Sequence, residues 1–326
     1  MSHSSHEPLV DSTVSPVSTD VSRTAAIEPH PSFPILVAVA GDECTTPTVR
    51  LTEALAAQRG ATPTLLYVME LAPVAAMDGS VSTEVLLQTF LDPVQRAKDE
   101  QALRATCHVD TGTPATWPFT IDLGSTAASV VTRARRIHAQ LIIMGLHHHG
   151  AVDHLLAADT LRNVMAIGAT PVLAIRPTLT ALPERIVVAV DFSVASIRAA
   201  HIARQLLADR GTLHLVYVGP IELGTANEHE QGRHFVEAHG VGVAFQEVIT
   251  MLAPDPGMTV MPVTRFGDPI DELKAVCADV RPDVVAIGSQ RHPFLDRLIL
   301  GTVTRAIVDD GRWSVLVTPP TSRVGA

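Results

Sequence analysis

The chain has 326 residues, 46% of them hydrophobic but only 4% aromatic, and a formal net charge of −10. A length of this order accommodates two ordinary cores, which here must be built from Val, Leu, Ile and Ala. The acidic balance argues against a nucleic-acid or anionic-membrane partner held by bulk electrostatics, and no local cluster of Lys and Arg offsets it.

Residues 1–31 are rich in Ser, Thr, Pro and His and lack the basic start and apolar core of a signal peptide. They read as a disordered tail without a catalytic role. From 32 onward the chain divides into an apolar run at 35–42 (ILVAVAGD), a segment of helical periodicity at 47–59, and a second apolar run at 64–70 (TLLYVME). A longer irregular, helix-rich region follows, then a strand at 119–123, a helix at 126–138, a strand at 141–144, a helix at 153–167 and a strand at 172–175. Pro177, Pro183 and the residues between them form a short linker.

After the linker the pattern repeats. IVVAVDFS (186–193) matches ILVAVAGD, TLHLVYVG (212–219) matches TLLYVME, VVAIGSQ (284–290) matches LIIMGLH (141–147), and SVLVTPP (314–320) matches PVLAIRP (171–177). The second copy has helices expected at 195–208, 269–279 and 296–309 and strands at 259–265, 284–287 and 315–317. A repeat of this length is a duplicated domain, not a solenoid unit: domain one spans 32–178 and domain two 179–326. Val39 pairs with Val190 and Val68 with Val218, while Gly124 pairs with Gly267 and Gly145 with Gly288 at a shorter offset. The two copies therefore differ in length between residues 68 and 124.

Short strands alternating with helices read as an α/β fold in which each copy is a parallel sheet with helices on both faces. Such sheets bind ligands beyond the carboxyl ends of the strands, where strand order reverses. The best-repeated segments fall there.

Cys44, Cys107 and Cys277 share no short spacing, so neither a disulfide framework nor a zinc knuckle is indicated, and a reducing cytoplasm is the expected setting. Mean hydropathy is +0.25, yet no apolar run approaches the roughly 18 residues of a spanning helix. Among the histidines, His147, His148 and His149 with His154 form the sharpest local group. Adjacent ring nitrogens in a loop rarely converge on one ion, so a solvated loop is expected and no metal site.

The I-x-V-A-V-D-x-S opening, the second strand ending in Val, the Gly-Asp-Pro before a helix, and a strand running into a G-x2-G-x9-G-[ST] pattern followed by P-V-L-V resemble the universal stress protein family. The resemblance covers both copies. It implies two tandem doubly wound parallel five-stranded sheets of the adenine nucleotide alpha hydrolase-like type, with strand order 3-2-1-4-5. Family members that bind nucleotide place adenine against the acid closing the first strand and the end of the second, and phosphates on the glycine-rich loop. A glycine there has no Cβ to hold a phosphate away, and helix-start amides supply donors.

Carried over residue by residue, the resemblance puts the nucleotide in domain two, on Val190, Asp191, Ser193, Val218, Ile287, Gly288, Arg291, Gly301, Thr302 and Val303. Arg291 replaces the middle glycine and offers a guanidinium fork in place of close backbone contact; Ser314 replaces the closing Pro. Simpler readings stand beside these: Asp191 as a helix N-cap, Gly288 and Gly301 as loop glycines, and Arg291 as a solvated side chain. Domain one departs further, with Ala40 for the acid, Asp42 where domain two has Ser193, His148 for the middle glycine, and Ala158–Asp159 for Gly301–Thr302. A carboxylate at contact distance from a phosphate repels it by on the order of 1 kcal/mol even in high dielectric.

No G-x-S-x-G elbow, Walker loop or H-E-x-x-H is present, so no catalysis is expected. The expected protein is a stress-response or regulatory binding protein, with ATP or AMP and magnesium as ligands of domain two and no required cofactor. The alternative is a nucleotide-free interaction scaffold, and the least favoured is a weak ATP hydrolase. A homodimer or a separate protein partner stays open. The last strands of the two copies, 172–175 and 315–317, are expected to pair as an intramolecular pseudo-dimer, since either alone would be an exposed apolar edge.

Overall fold

A computed structural model of the protein describes residues 33–69, 117–146, 153–220, 240–289 and 301–319, with isolated positions between 94 and 105. The first half runs β1 (Phe33–Val39), α1 (Thr45–Arg59), β2 (Ala61–Met69), β3 (Phe119–Leu123), α2 (Thr126–Arg136), β4 (Leu141–Gly145), α3 (Asp153–Ile167) and β5 (Val172–Ile175). The second half runs β6 (Arg185–Ala189), α4 (Val194–Leu206), β7 (Thr212–Gly219), α5 (Val241–Leu252), β8 (Thr259–Phe266), α6 (Pro269–Val280), β9 (Val284–Gly288), α7 (Thr302–Asp310) and β10 (Ser314–Thr318). The tail, the histidines at 147–149 and Arg291 lie outside the described residues, as does the side chain of His154.

The two halves form one ten-stranded sheet in the order β3-β2-β1-β4-β5-β10-β9-β6-β7-β8. Each half keeps the order 3-2-1-4-5 with parallel neighbours. The sheets do not stand apart: β5 and β10 pair antiparallel, Val172 with Val317, Leu173 with Leu316 and Ala174 with Val315. All residues of both strands are buried, because each has a strand on either side and helices on both faces. The expected pseudo-dimer contact is thus an internal ladder.

Local chemistry sets the element ends. Asp268 caps α6, its Oδ1 accepting from the amides of Ile270 (2.9 Å) and Asp271 (3.1 Å), with Pro269 in the first turn, where its missing N–H is not needed. Ser193 caps α4, its Oγ accepting from Ser196 N–H at 3.3 Å. Gly60 and Gly311 close α1 and α7 at φ of 64° and 65°, the left-handed shape that glycine adopts without a Cβ penalty. His138 ends the turn after α2 at φ 52°, so that helix stops at Arg136, short of the expected 138.

Within the helix expected over 296–309, residues 296–300 lie outside the described residues, and α7 begins at Thr302, with Gly301 as its N-cap at an extended ψ of 157°. The matching helix of the first half, α3, begins at Asp153 and runs through Ala158 and Asp159, the counterparts of Gly301 and Thr302. Replacing a poor helix former by alanine lets the helix continue through the position that caps α7. A basic triplet also exists, contrary to expectation: Arg133, Arg135 and Arg136 occupy the last turn of α2. Arg133 is held by Asp122 at 2.6 Å, and Arg135 donates to Ile167 O, so little of it is left as a free basic patch.

Two apolar layers sandwich the sheet. One joins α1 of the first half to α4 and α5 of the second across Leu173, Ile175 and Leu316. The other joins residues of α2, α3, α6 and α7 across Val172, Val315 and Val317. Polar contacts brace the junction: Arg59 Nη2 donates to Leu207 O at 3.1 Å, and Arg162 pairs with Asp309. Ser314 supplies a further link where the first half has Pro171, its Oγ accepting from the backbone amide of Arg176 at 3.1 Å.

Candidate functional site

In the second half, β6 and β9 lie side by side with β7 and β10 on their opposite flanks, and a crevice of about 250 Å³ lies at their ends. Ala189, Val190 and Asp191 form one wall, Val216, Tyr217 and Val218 the next, Ile287 and Gly288 a third; Ser196, Pro269, Leu273 and Val303 complete it. This is the strand-order switch point at which open α/β sheets take ligands. Among the residues expected there, Val190, Asp191, Val218, Ile287, Gly288 and Val303 line the crevice. Ser193, Gly301 and Thr302 do not line it.

The turn carrying Asp191 is self-bonded. Asp191 Oδ1 accepts from Ser193 N–H at 3.0 Å, and Asp191 N–H donates to Ser196 Oγ at 3.3 Å, which itself donates to Ser193 O at 3.0 Å. The helix cap is therefore Ser193, and Asp191 is held two residues before it at the crevice rim. In the first half Thr45 occupies the place of Ser196, its Oγ1 accepting from the amides of Gly41 (3.0 Å) and Asp42 (3.1 Å). A hydroxyl at this position in both copies was a legible signal for Ser196. Tyr67 and Tyr217 repeat in the same way.

The two glycines of the loop pattern play different parts. A Cβ on Gly288 would lie 2.4 Å from Ala195 C and Ser196 N, so glycine lets the start of α4 close onto the end of β9. Among the described residues a Cβ on Gly301 would meet nothing within 4 Å, and its φ of −57° is open to any residue. Packing among the described residues thus demands glycine at 288 and makes no demand at 301. Thr302 is the first residue of α7, so the helix-start amides follow Gly301 directly.

At the corresponding positions of the first half Leu66 stands for Val216, Met144 for Ile287 and Val130 for Leu273; these residues and their second-half counterparts are all buried in the same apolar cluster, so burial does not separate the two halves here. Ala40 removes the rim carboxylate. A separate, more open groove of about 340 Å³ lies at the end of β3, lined by Asp122, Ser125, Ser129 and Thr132, but the Asp122 carboxylate is taken by Arg133. Among the described residues no group of three or more His, Cys, Asp or Glu could hold a metal ion. Cys277 is buried, and burial pushes its thiol up to about 12, which keeps it protonated and unreactive. No helix among the described residues is long and apolar enough to cross a membrane.

The family model of the universal stress protein family matches residues 33–176 and again 183–319. Among solved structures, the chain is similar to a universal stress protein of Archaeoglobus fulgidus DSM 4304, at 17% identity and a TM-score of 0.50 over 88% of this chain and 98% of that one. It is also similar to a functionally unknown protein of Pseudomonas aeruginosa PAO1, at 14% identity and a TM-score of 0.55 over 89% of this chain and 93% of that one. At these identities the likeness speaks for the fold. No curated protein sequence matches the chain. With two family matches that together span most of its length, each on a half with the 3-2-1-4-5 sheet, the chain belongs to the universal stress protein family in a tandem two-domain form.

Proposed function

We propose that the protein is a non-catalytic stress-response or regulatory binding protein whose second half takes an adenine nucleotide, ATP or AMP with magnesium. The observation that carries this reading is the crevice between the ends of β6, β7 and β9, with apolar walls and one rim carboxylate, Asp191. A flat base fits between such walls, with a few polar groups to orient it. Gly301 adds support: among the described residues nothing lies where its Cβ would be, which leaves the approach to the first amides of α7 clear of them. Binding is favoured over hydrolysis because the Asp191 carboxylate is engaged in its own turn and the walls around it are mainly aliphatic.

The first half favours the second reading, a nucleotide-free scaffold, for its own crevice. Its helix α3 runs through the position of Gly301, and Ala40 stands where the second half has Asp191. In this division of labour the first half stabilises and presents the second.

Calorimetry with ATP, AMP and magnesium on the wild type and Gly301→Asp tests the proposal. Saturable heat that disappears in the variant supports nucleotide binding by the second half. Absence of heat in both overturns it in favour of the scaffold.

A further inference from the structure

Phe192 lies between Asp191 and Ser193 with φ of 60°, in the left-handed region that bulky residues avoid. Its counterpart in the first half is Gly41, with φ of 75°. Both copies therefore need the left-handed turn, and glycine meets that need without strain. The copy with the rim carboxylate uses phenylalanine instead, against the local backbone preference. A strained residue persists only where its surroundings over-determine it.

Those surroundings are aromatic. The Phe192 ring stacks on Tyr217 at 5.2 Å between centroids and 29° between planes, and meets Phe245 of α5 edge-on at 5.2 Å and 82°. Both are favourable geometries for aromatic pairs. Tyr217 also belongs to the crevice wall, and Phe245 is buried in the layer beneath α4 and α5. The ring of Phe192 thus ties the rim turn to α5, which the turn's own hydrogen bonds do not reach, and adds a side-chain contact to β7 beside the Val190 N–H to Val216 O bond of 2.8 Å.

We infer that Phe192 is a positioning residue: clamped by Tyr217 and Phe245, it fixes the left-handed turn that sets the Asp191 carboxylate and backbone at the crevice rim. This rests on the crevice being a nucleotide site. Asp191 makes the ligand contact, and Phe192 acts through it by removing the conformational freedom that a glycine would restore.

The test compares wild type with Phe192→Gly, Phe192→Tyr and Tyr217→Leu. Hydrogen exchange is followed over residues 190–194, and AMP binding by calorimetry. The expected result is faster exchange confined to that turn in Phe192→Gly. AMP affinity in that variant is expected to fall about tenfold, the factor that 1.4 kcal/mol of lost preorganisation represents, with Phe192→Tyr restoring both. If Phe192→Gly does not fold, Tyr217→Leu removes the stacked partner and is expected to move the same two readings. Unchanged local exchange in the folded variants overturns the positioning role. If wild type binds no AMP, the nucleotide reading fails on its own, while the exchange arm still decides whether the aromatic clamp fixes the turn.

Discussion

Leu173 of β5 and Leu316 of β10 are register partners at the centre of the antiparallel ladder joining the two halves, and both are buried. They belong to one apolar layer that also contains α1 of the first half and α4 of the second. Truncation here removes packing from both halves at once. Leu316→Ala is expected to lower unfolding stability by about 2–5 kcal/mol. In urea, fluorescence and circular dichroism should report one shared transition. Separate transitions of the two halves, with the wild-type midpoint kept by one of them, would contradict a shared core.

Gly288 and Gly301 make opposite predictions under the same substitution. Gly288→Ala forces a Cβ against the backbone of Ala195 and Ser196 and should cost about 1–3 kcal/mol. Gly301→Ala meets no described neighbour at an ordinary φ, and the exchange of a tolerated N-cap residue for a poor one should cost no more than about 1 kcal/mol. Thermal or urea unfolding of the two variants checks the pair. Equal destabilisation would show that the packing assigned to Gly288 is mistaken.

Asp310 ties the end of α7 to α6. It accepts from Arg312 Nη2 at 2.9 Å and forms an ion pair with Lys274 Nζ at 2.9 Å. The hydrogen bond from Arg312 is the main cause that holds its carboxyl down at about 2; burial opposes the shift, and Lys274 adds to it. A folded-state value below the unfolded one, about 3.9, stabilises the fold fully above the unfolded value. That contribution is lost as pH falls through about 2. The melting-temperature gap between wild type and Asp310→Asn is therefore expected to be constant near neutrality and to close on acidification below about pH 4. A gap that persists unchanged at the lowest pH would remove Asp310 from the acid response.

Much of the fold was legible because it is written in periodic burial. Strands β3 and β5 and helix α3 have the bounds that pattern and punctuation alone indicate, and the repeat fixed the order of elements in each half. The crevice was legible in part: Val190, Asp191, Val218, Ile287, Gly288 and Val303 were marked by the repeat and the loop pattern. Pro269 was seen only as the start of the helix expected at 269–279 and Leu273 only as a residue within it, because nothing local tells a helix's core face from a crevice wall.

By itself the sequence determined that one α/β unit is present twice, that its best-repeated segments gather at the strand carboxyl ends, and that the copies part at Ala40 against Asp191 and at Ala158 against Gly301. These follow from short-range patterns: hydrophobic period, capping chemistry and the conformational range of glycine. Only the tertiary structure decided that the two sheets are continuous through β5 and β10, that Gly288 is required by α4 while Gly301 is not, and that Phe192 is clamped against Tyr217 and Phe245. Each of those depends on residues far apart in the chain meeting at a few ångströms, and no local pattern encodes such a distance.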